Sequence, residues 1–308
     1  MADGLVDFLR ADWRAGLAVA GGRDATPPAR GFAWLAGWAL LCLATGLALY
    51  FCCGYQAGFQ VVNGLADRLP DELWQATTVL GDERMAFALS LFLARRRPQV
   101  FWSLVVAALV ATAYSRGLKP LVDALRPPAV LSAGDFNLIG HRLRHGSFPS
   151  GHSVTAAVFF GTLAYYANGR LARLMLVTIA VLAGLSRVAV GVHWPIDVAA
   201  GLFGGALAAA IGVQLSRRAR WGVEDVSIHL AFVTLAAIMA SSLLLWDGGY
   251  PAAALFQYAV GFSALAYAFA AYLAWPIGRW GHQALFGRSA PLQEASAVGH
   301  PCRESLDR

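Results

Sequence analysis

Residues 186–215 read SRVAVGVHWPIDVAAGLFGGALAAAIGVQL. From Pro195 onward the stretch supplies the roughly 20 mostly apolar residues that a transmembrane helix needs. A second apolar run, 171–190, ends just before it. Arg187, His193 and Asp197 therefore stand at the edges of two segments whose natural solvent is lipid, where ionisable groups are costly and call for a partner or a function. The rest of the chain has the same character. It is 58% hydrophobic and only 14% charged over 308 residues, with a mean hydropathy of +0.55. That composition excludes an ordinary soluble domain and points to a polytopic membrane protein.

Scanning for runs of that length gives eight candidate spans, near 31–53, 73–94, 99–115, 151–168, 171–190, 195–215, 227–246 and 252–275. Asp82, Glu83 and Arg84 interrupt the second, and the third is short. The expected fold is all-α, an integral membrane helix bundle. Its parts are an N-terminal segment over 1–30, a six-helix core over 31–215, two additional transmembrane helices within 216–282 and a flexible polar tail over 283–308.

Basic residues in the connections set the orientation. Arg95, Arg96 and Arg97, then Arg170 and Arg173, then Arg217, Arg218 and Arg220 fall in alternate connections, which are expected to be cytoplasmic together with both termini. One outer connection breaks the rule. Residues 116–149 hold Arg116, Lys119, Arg126, Arg142 and Arg144 on the face opposite the other arginines, and so need another reason to be basic.

The first thirty residues lack the compact apolar core of a cleavable signal peptide, so the first span is expected to act as an uncleaved anchor. Within them, Leu5, Phe8, Leu9, Trp13 and Leu17 recur at helical spacing opposite Asp7, Arg10 and Arg14, the pattern of a helix lying on a membrane surface. A disordered polar tail is the alternative. Cys42, Cys52 and Cys53 cluster at the first span and Cys302 lies in the tail. They form neither a disulfide framework nor a metal-binding spacing, and Cys52 and Cys53 read as packing residues. No nucleotide-binding glycine fingerprint is present. Loop arginines account for the net charge of +6 without nucleic acid.

Three polar islands fall in the two connections assigned to the outer face: KPLVDALRP at 119–127, FPSGHS at 148–153 and the opening SRVAVGVHWPID. Together they supply three cations, two histidines, a serine, a glycine and a carboxylate, a set suited to gripping and attacking a phosphate. Ser150 can cap the fourth span, leaving its first N–H groups directed outward as an anion site that Gly151 keeps open. His152, one turn away, is placed to act as a general acid. Pro195 suits the first turn of the sixth span, and Asp197, four residues after His193, can hold one imidazole nitrogen and free the other as a nucleophile. Lys119, Arg126 and Arg187 would neutralise the equatorial oxygens of a transferring phosphoryl group. Singly, each residue has an ordinary reading as a snorkelling or capping side chain. The joint pattern weighs against it. So does composition: 23 of the 24 basic side chains are arginine, and the sole lysine, Lys119, lies in one of these islands.

These motifs, K-x6-R-P at Lys119, Arg126 and Pro127, P-S-G-H at 149–152 and S-R-x5-H-x3-D at Ser186, Arg187, His193 and Asp197, resemble the tripartite signature of the type 2 phosphatidic acid phosphatase superfamily. The resemblance covers roughly residues 31–215. It implies a metal-independent, cofactor-free phosphatase acting through a phosphohistidine. His193 would be the nucleophile, Asp197 its partner and His152 the general acid, with Lys119, Arg126, Ser150, Gly151 and Arg187 around the phosphate. The helices after 226 depart from the usual core.

The favoured activity is thus removal of phosphate from a membrane lipid phosphomonoester or diphosphate at the periplasmic face of a bacterial inner membrane. Alternatives are a phosphotransferase passing the group to a second lipid and, in a different class, an anion or lipid-phosphate transporter. The transporter has no need of a His193–Asp197 pair, and no inverted repeat is evident. Undecaprenyl diphosphate, phosphatidylglycerol phosphate, phosphatidic acid and lipid A all fit the islands as substrates, and oligomeric state is not legible. His141, Arg142, Arg144 and His145 read either as guides for an anionic headgroup or as a solvated loop. Asp82, Glu83 and Arg84 read as an intrabundle pairing or an interfacial break. Asp123, one turn from both Lys119 and Arg126, is expected to restrain them, and His229 and His282 read as structural or interfacial.

Overall fold

A computed structural model of the chain describes residues 2–23, 28 and 30–286; the tail beyond 286, with Cys302, lies outside the described residues. All regular structure among the described residues is helical. In chain order the helices are α1 (Ala2–Arg23), α2 (Gly31–Cys53), α3 (Phe59–Ala66), α4 (Asp71–Val79), α5 (Glu83–Ala94), α6 (Pro98–Val122) and α7 (Pro127–Val130). There follow α8 (Gly151–Tyr166), α9 (Arg170–Ala189), α10 (Pro195–Arg218), α11 (Trp221–Glu224), α12 (Val226–Ser242), α13 (Ala254–Phe269) and α14 (Trp275–Phe286). The chain is an all-α integral membrane protein, as its composition requires.

The expected spans are recovered with two differences. Gly31–Cys53, Pro98–Val130, Arg170–Ala189, Pro195–Arg218 and Pro251–Ala284 are long and apolar enough to cross a membrane, whereas α8 and α12 run to 16 and 17 residues. The segment at 73–94 is not one helix but two, α4 and α5. Asp82 is the reason: its carboxylate accepts from the backbone N–H of Arg84 at 2.8 Å and so caps a new helix at Glu83. Both readings of this charged triplet hold, because Asp82 also forms an ion pair with Arg84 at 2.7 Å.

Helix α10 is the hub, packing against α2, α6, α8 and α9. Small residues permit the close approach, as is usual where lipid removes the hydrophobic drive for helices to associate. A Cβ at Gly201 would lie 2.6 Å from the carbonyl oxygen of Ser150, and one at Gly205 2.4 Å from that of Val154. The largest apolar cluster spreads from this seam through Leu35, Trp38, Phe159, Phe160 and Trp194. A second cluster joins α5 and α6 to α12 and α13 through Leu91, Phe101, Trp102, Val233 and Leu243.

The basic turns gather at one end of the bundle. Arg95 pairs with Asp12 of α1, Arg279 of α14 reaches the same carboxylate at 2.5 Å, and Trp102 Nε1 donates to the carbonyl of Ala219 at 2.5 Å. Helix α1 is formed as its periodicity predicts, but Leu9 and Leu17 are buried against protein and Trp13 Nε1 donates to the Tyr272 carbonyl at 3.0 Å. Asp12 is buried on this packed face, away from the polar stripe of Asp7, Arg10 and Arg14. Cys52 and Cys53 are exposed rather than packed inside the bundle. His229 is structural, bonded through Nδ1 to the Gly222 carbonyl at 3.0 Å and through Nε2 to the Tyr272 hydroxyl at 2.7 Å.

Candidate active site

The three polar islands meet at the opposite end from the basic turns. Asp197 is the third residue of α10, where its carboxylate accepts the N–H of Trp194 at 2.9 Å and so closes the start of the helix. The same carboxylate lies 3.4 Å from His193 Nδ1. It also accepts from the Ser147 hydroxyl at 2.5 Å and the Tyr55 hydroxyl at 2.5 Å. A carboxylate with three further donors is fixed in place, and what it fixes in turn is the imidazole.

On the other side of the ring, Nη1 of Arg126 lies 3.0 Å from His193 Nε2. A guanidinium can only donate, so the Nε2 lone pair faces Arg126 and the ring proton sits on Nδ1, facing Asp197. His193 therefore has the tautomer that a nucleophilic Nε2 requires. It is 2% exposed, and burial, followed by the positive charges of Arg126, Arg187 and Lys119, holds its pKa well below the usual imidazole range. The Tyr55 phenol is pushed the other way, upward, by burial and then by the negative charge of Asp197.

The cations are held by neutral acceptors, backbone carbonyls for Lys119 and Arg126 and side-chain hydroxyls for Arg187, which leaves their charge unneutralised. Lys119, in the last turn of α6, donates from Nζ to the carbonyls of Gly146 at 2.7 Å and Pro149 at 3.3 Å. Arg126 donates from Nε to the His145 carbonyl at 2.8 Å, and its own N–H reaches the Arg144 carbonyl at 2.9 Å. Arg187 is 3% exposed. Its Nη1 donates to the Thr78 hydroxyl at 2.7 Å and the Tyr250 hydroxyl at 2.7 Å, while its Nε has no partner among the described residues.

Ser150 is the N-cap of α8, accepting from the Ser153 N–H at 3.4 Å and from its hydroxyl at 2.9 Å. Its backbone N–H donates to the Asp197 carbonyl at 3.0 Å, which ties the second island to the third. Space around Gly151 is open, and the first N–H groups of α8 face it as an anion-attracting helix start. His152 packs on the break between α4 and α5, where a Cβ at Gly81 would fall 2.8 Å from its carbonyl oxygen, and the Asp82 carboxylate acts on it electrostatically.

All eight residues singled out as catalytic or phosphate-binding therefore converge. The four loop residues divide. Arg144 and His145 serve through their carbonyls on Arg126, Arg142 donates to the Pro128 carbonyl at 3.3 Å, and His141 lies against Gly249; all four side chains are exposed. Asp123 is a correction. It ends α6 in a left-handed conformation with φ 40°, so the helical spacing that would aim it at Arg126 stops there, and it forms no ion pair with either cation. Sequence reasoning missed Tyr55, Ser147, Thr78 and Tyr250. Ser147 alone carried a signal, as a polar residue two positions ahead of the PSGH run.

Comparison with known proteins agrees with this geometry. A family model described as the PAP2 superfamily matches residues 100–221, a segment that contains every signature residue from Lys119 to Asp197. Lipid A 1-phosphatase of Rhizobium etli is 33% identical over 158 residues, covering 44% of this chain and 66% of that protein. Lipid A 1-phosphatase of Rhizobium johnstonii is 36% identical over 111 residues, covering 35% of this chain and 42% of that protein. The chain thus spans just under two thirds of the first of these curated relatives and about two fifths of the second. Among solved structures, LpxE of Aquifex aeolicus aligns with a TM-score of 0.46 at 28% identity, over 51% of this chain and 92% of that one. With the matched segment and the complete three-part signature falling on the same residues, the part of the chain over 100–221 belongs to the type 2 phosphatidic acid phosphatase (PAP2) superfamily.

Proposed function

We propose that this protein is a membrane lipid phosphatase that works through a phosphohistidine on His193. The observation that supports it above others is the imidazole held between a carboxylate and a guanidinium, with Asp197 at 3.4 Å from Nδ1 and Arg126 at 3.0 Å from Nε2. An incoming phosphate would take over the donors of Arg126 and release the Nε2 lone pair toward phosphorus. Lys119, Arg126, Arg187 and the α8 N–H groups would hold the equatorial oxygens. As the P–O bond to the lipid breaks and the N–P bond forms, His152 would give its proton to the departing lipid oxygen. The neutral His152 would then take a proton from water as it attacks phosphorus, returning inorganic phosphate and free His193. Cations of the chain fill the electrostatic role, so this reading uses neither metal nor cofactor. The core over 31–215 carries the site, with the two C-terminal helices added to it.

The substrate class proposed is a lipid phosphomonoester, with lipid A first because the curated relatives are named for it. The site would face the periplasm from a bacterial inner membrane, with both termini cytoplasmic. His141, Arg142, Arg144 and His145, exposed beside the site, would meet the anionic headgroup. Phosphate release by purified protein from lipid A, phosphatidylglycerol phosphate, phosphatidic acid and undecaprenyl diphosphate in mixed micelles tests this. Release fastest from lipid A is expected. No release from any of the four would remove the proposal, and a different preferred lipid would replace the substrate.

A further inference from the structure

Helices α12 and α13 lie outside the segment that carries the family signature, yet the loop between them enters the site. Trp246–Ala252 runs WDGGYPA. The Trp246 carbonyl accepts from Arg84 Nη1 at 2.7 Å, and the Ala252 N–H donates to Gln75 Oε1 at 3.0 Å, so the loop is fastened to α4 and α5 at both ends. Its two glycines allow the approach. Gly249 has φ 86°, and a Cβ there would lie 2.3 Å from His141. The turn carries Tyr250 inward, where it is 7% exposed and packs with Val79, Met85, Ile139, Val190 and Val192.

We infer that Tyr250 is a positioning residue for the reaction, orienting Arg187 toward the phosphate, and that the C-terminal helix pair therefore completes the active site. Arg187 Nη1 is shared between the hydroxyls of Tyr250 and Thr78, each at 2.7 Å, and its Cζ lies 5.7 Å from the Tyr250 ring centroid. These contacts anchor one edge of the guanidinium from segments distant in sequence. Its buried Nε, without a partner among the described residues, is left for a ligand. A guanidinium on a long side chain has several rotamers, and only a fixed one meets phosphate in a defined geometry. This inference rests on the phosphate-site reading above.

The test uses the full chain in detergent micelles with orthovanadate as probe. Tyr250→Phe keeps the ring and removes the acceptor. It is expected to weaken vanadate binding roughly tenfold, the scale of one charge-assisted hydrogen bond, and to lower kcat/KM for a lipid phosphomonoester with an unchanged melting temperature. Thr78→Val should act in the same direction, while Tyr258→Phe, an exposed tyrosine of α13, should match wild type. In an Arg187→Lys background Tyr250→Phe should have little further effect, because the two act as one unit. Wild-type affinity in Tyr250→Phe, or the same tenfold loss in the Arg187→Lys background, would overturn the inference while leaving the phosphatase reading intact. A wild-type protein that neither binds vanadate nor releases phosphate would instead remove that reading, and this inference with it.

Discussion

Ser147 donates its hydroxyl to Oδ2 of Asp197 at 2.5 Å, while the same oxygen lies 3.4 Å from His193 Nδ1. The longer distance marks a carboxylate whose position is set by its other donors and which orients the imidazole rather than being held by it. Asp197→Asn keeps the shape but puts an amide where three donors converge, so the imidazole loses its anchor. A fall in kcat/KM on the order of 10²-fold or more is expected. Ser147→Ala and Tyr55→Phe each leave the carboxylate in place and are expected to cost less, on the order of tenfold. Steady-state kinetics on the three variants check the ranking, and an Asp197→Asn protein as active as wild type would contradict the role.

Acid should act on this site in a defined direction. His193 has its pKa held well below the usual imidazole range by burial and by the surrounding cations, so it stays neutral and nucleophilic into mild acid. The acid limb of kcat/KM is expected below about pH 6.5, the ordinary imidazole value. Linkage gives the matching stability effect. Between the lowered native pKa and the ordinary unfolded one, the unfolded state binds the extra proton, so His193 favours folding above that window and its contribution is lost as pH falls through it. Lys119→Met should move the acid limb upward. Activity profiles and thermal melts against pH test both points, and an acid limb at or above pH 6.5 in the wild type would refute them.

The islands were legible because each is contiguous in sequence and each residue type has a chemical reason to be there. What completes them was not. Tyr55, Thr78 and Tyr250 come from three segments far apart in the chain, and one tyrosine among nine has no feature that announces a partner across the bundle. The break in the second span, by contrast, was announced by Asp82, Glu83 and Arg84, and what hydropathy could not supply was its cause, a single Asp82 side chain that satisfies an N–H group and restarts the helix. Asp123 failed in the opposite way, since helical spacing predicted a restraint at a position where the helix has already ended.

Helix packing and chemistry should prove coupled at Gly201. A Cβ there would sit 2.6 Å from the Ser150 carbonyl oxygen and 2.7 Å from Ser153 Cβ, so Gly201→Ala must push α8 away from α10. That movement separates the Ser150 N–H from the Asp197 carbonyl, which now meet at 3.0 Å. A stability loss of about 1–3 kcal/mol is expected from overpacking, with a loss of activity larger than the unfolded fraction explains. Gly37→Ala, on α2 where an added Cβ meets nothing within 4 Å, should be neutral. Normal activity in Gly201→Ala would break the proposed link.

The proposed orientation is open to chemical labelling in intact cells. Gly134 lies in the connection that carries the site, and Ala219 lies at the end of the bundle where the basic turns and α1 meet. Cysteine at 134 should react with an impermeant thiol reagent from outside, and cysteine at 219 only after the membrane is opened, in a background with the native cysteines replaced. The reverse pattern would invert the topology.

The assignment of opposite jobs to two histidines is the strongest test of the mechanism. His193 sits between Asp197 and Arg126 with Nε2 facing the cations, whereas His152 stands in the first turn of α8 against the α4–α5 break. If His193 attacks phosphorus, His193→Ala should abolish both turnover and acid-quenched labelling by radioactive substrate, because no N–P bond can form. His152→Ala removes only the proton for the leaving group. It should therefore retain some labelling, most visibly with an aryl phosphate or a diphosphate, whose departing oxygen needs little protonation, and the remaining label should turn over slowly because the attacking water has lost its base. A transporter would show neither label nor turnover in wild type. Undiminished labelling or turnover in His193→Ala would show that another residue attacks phosphorus, and the phosphohistidine mechanism would have to be abandoned.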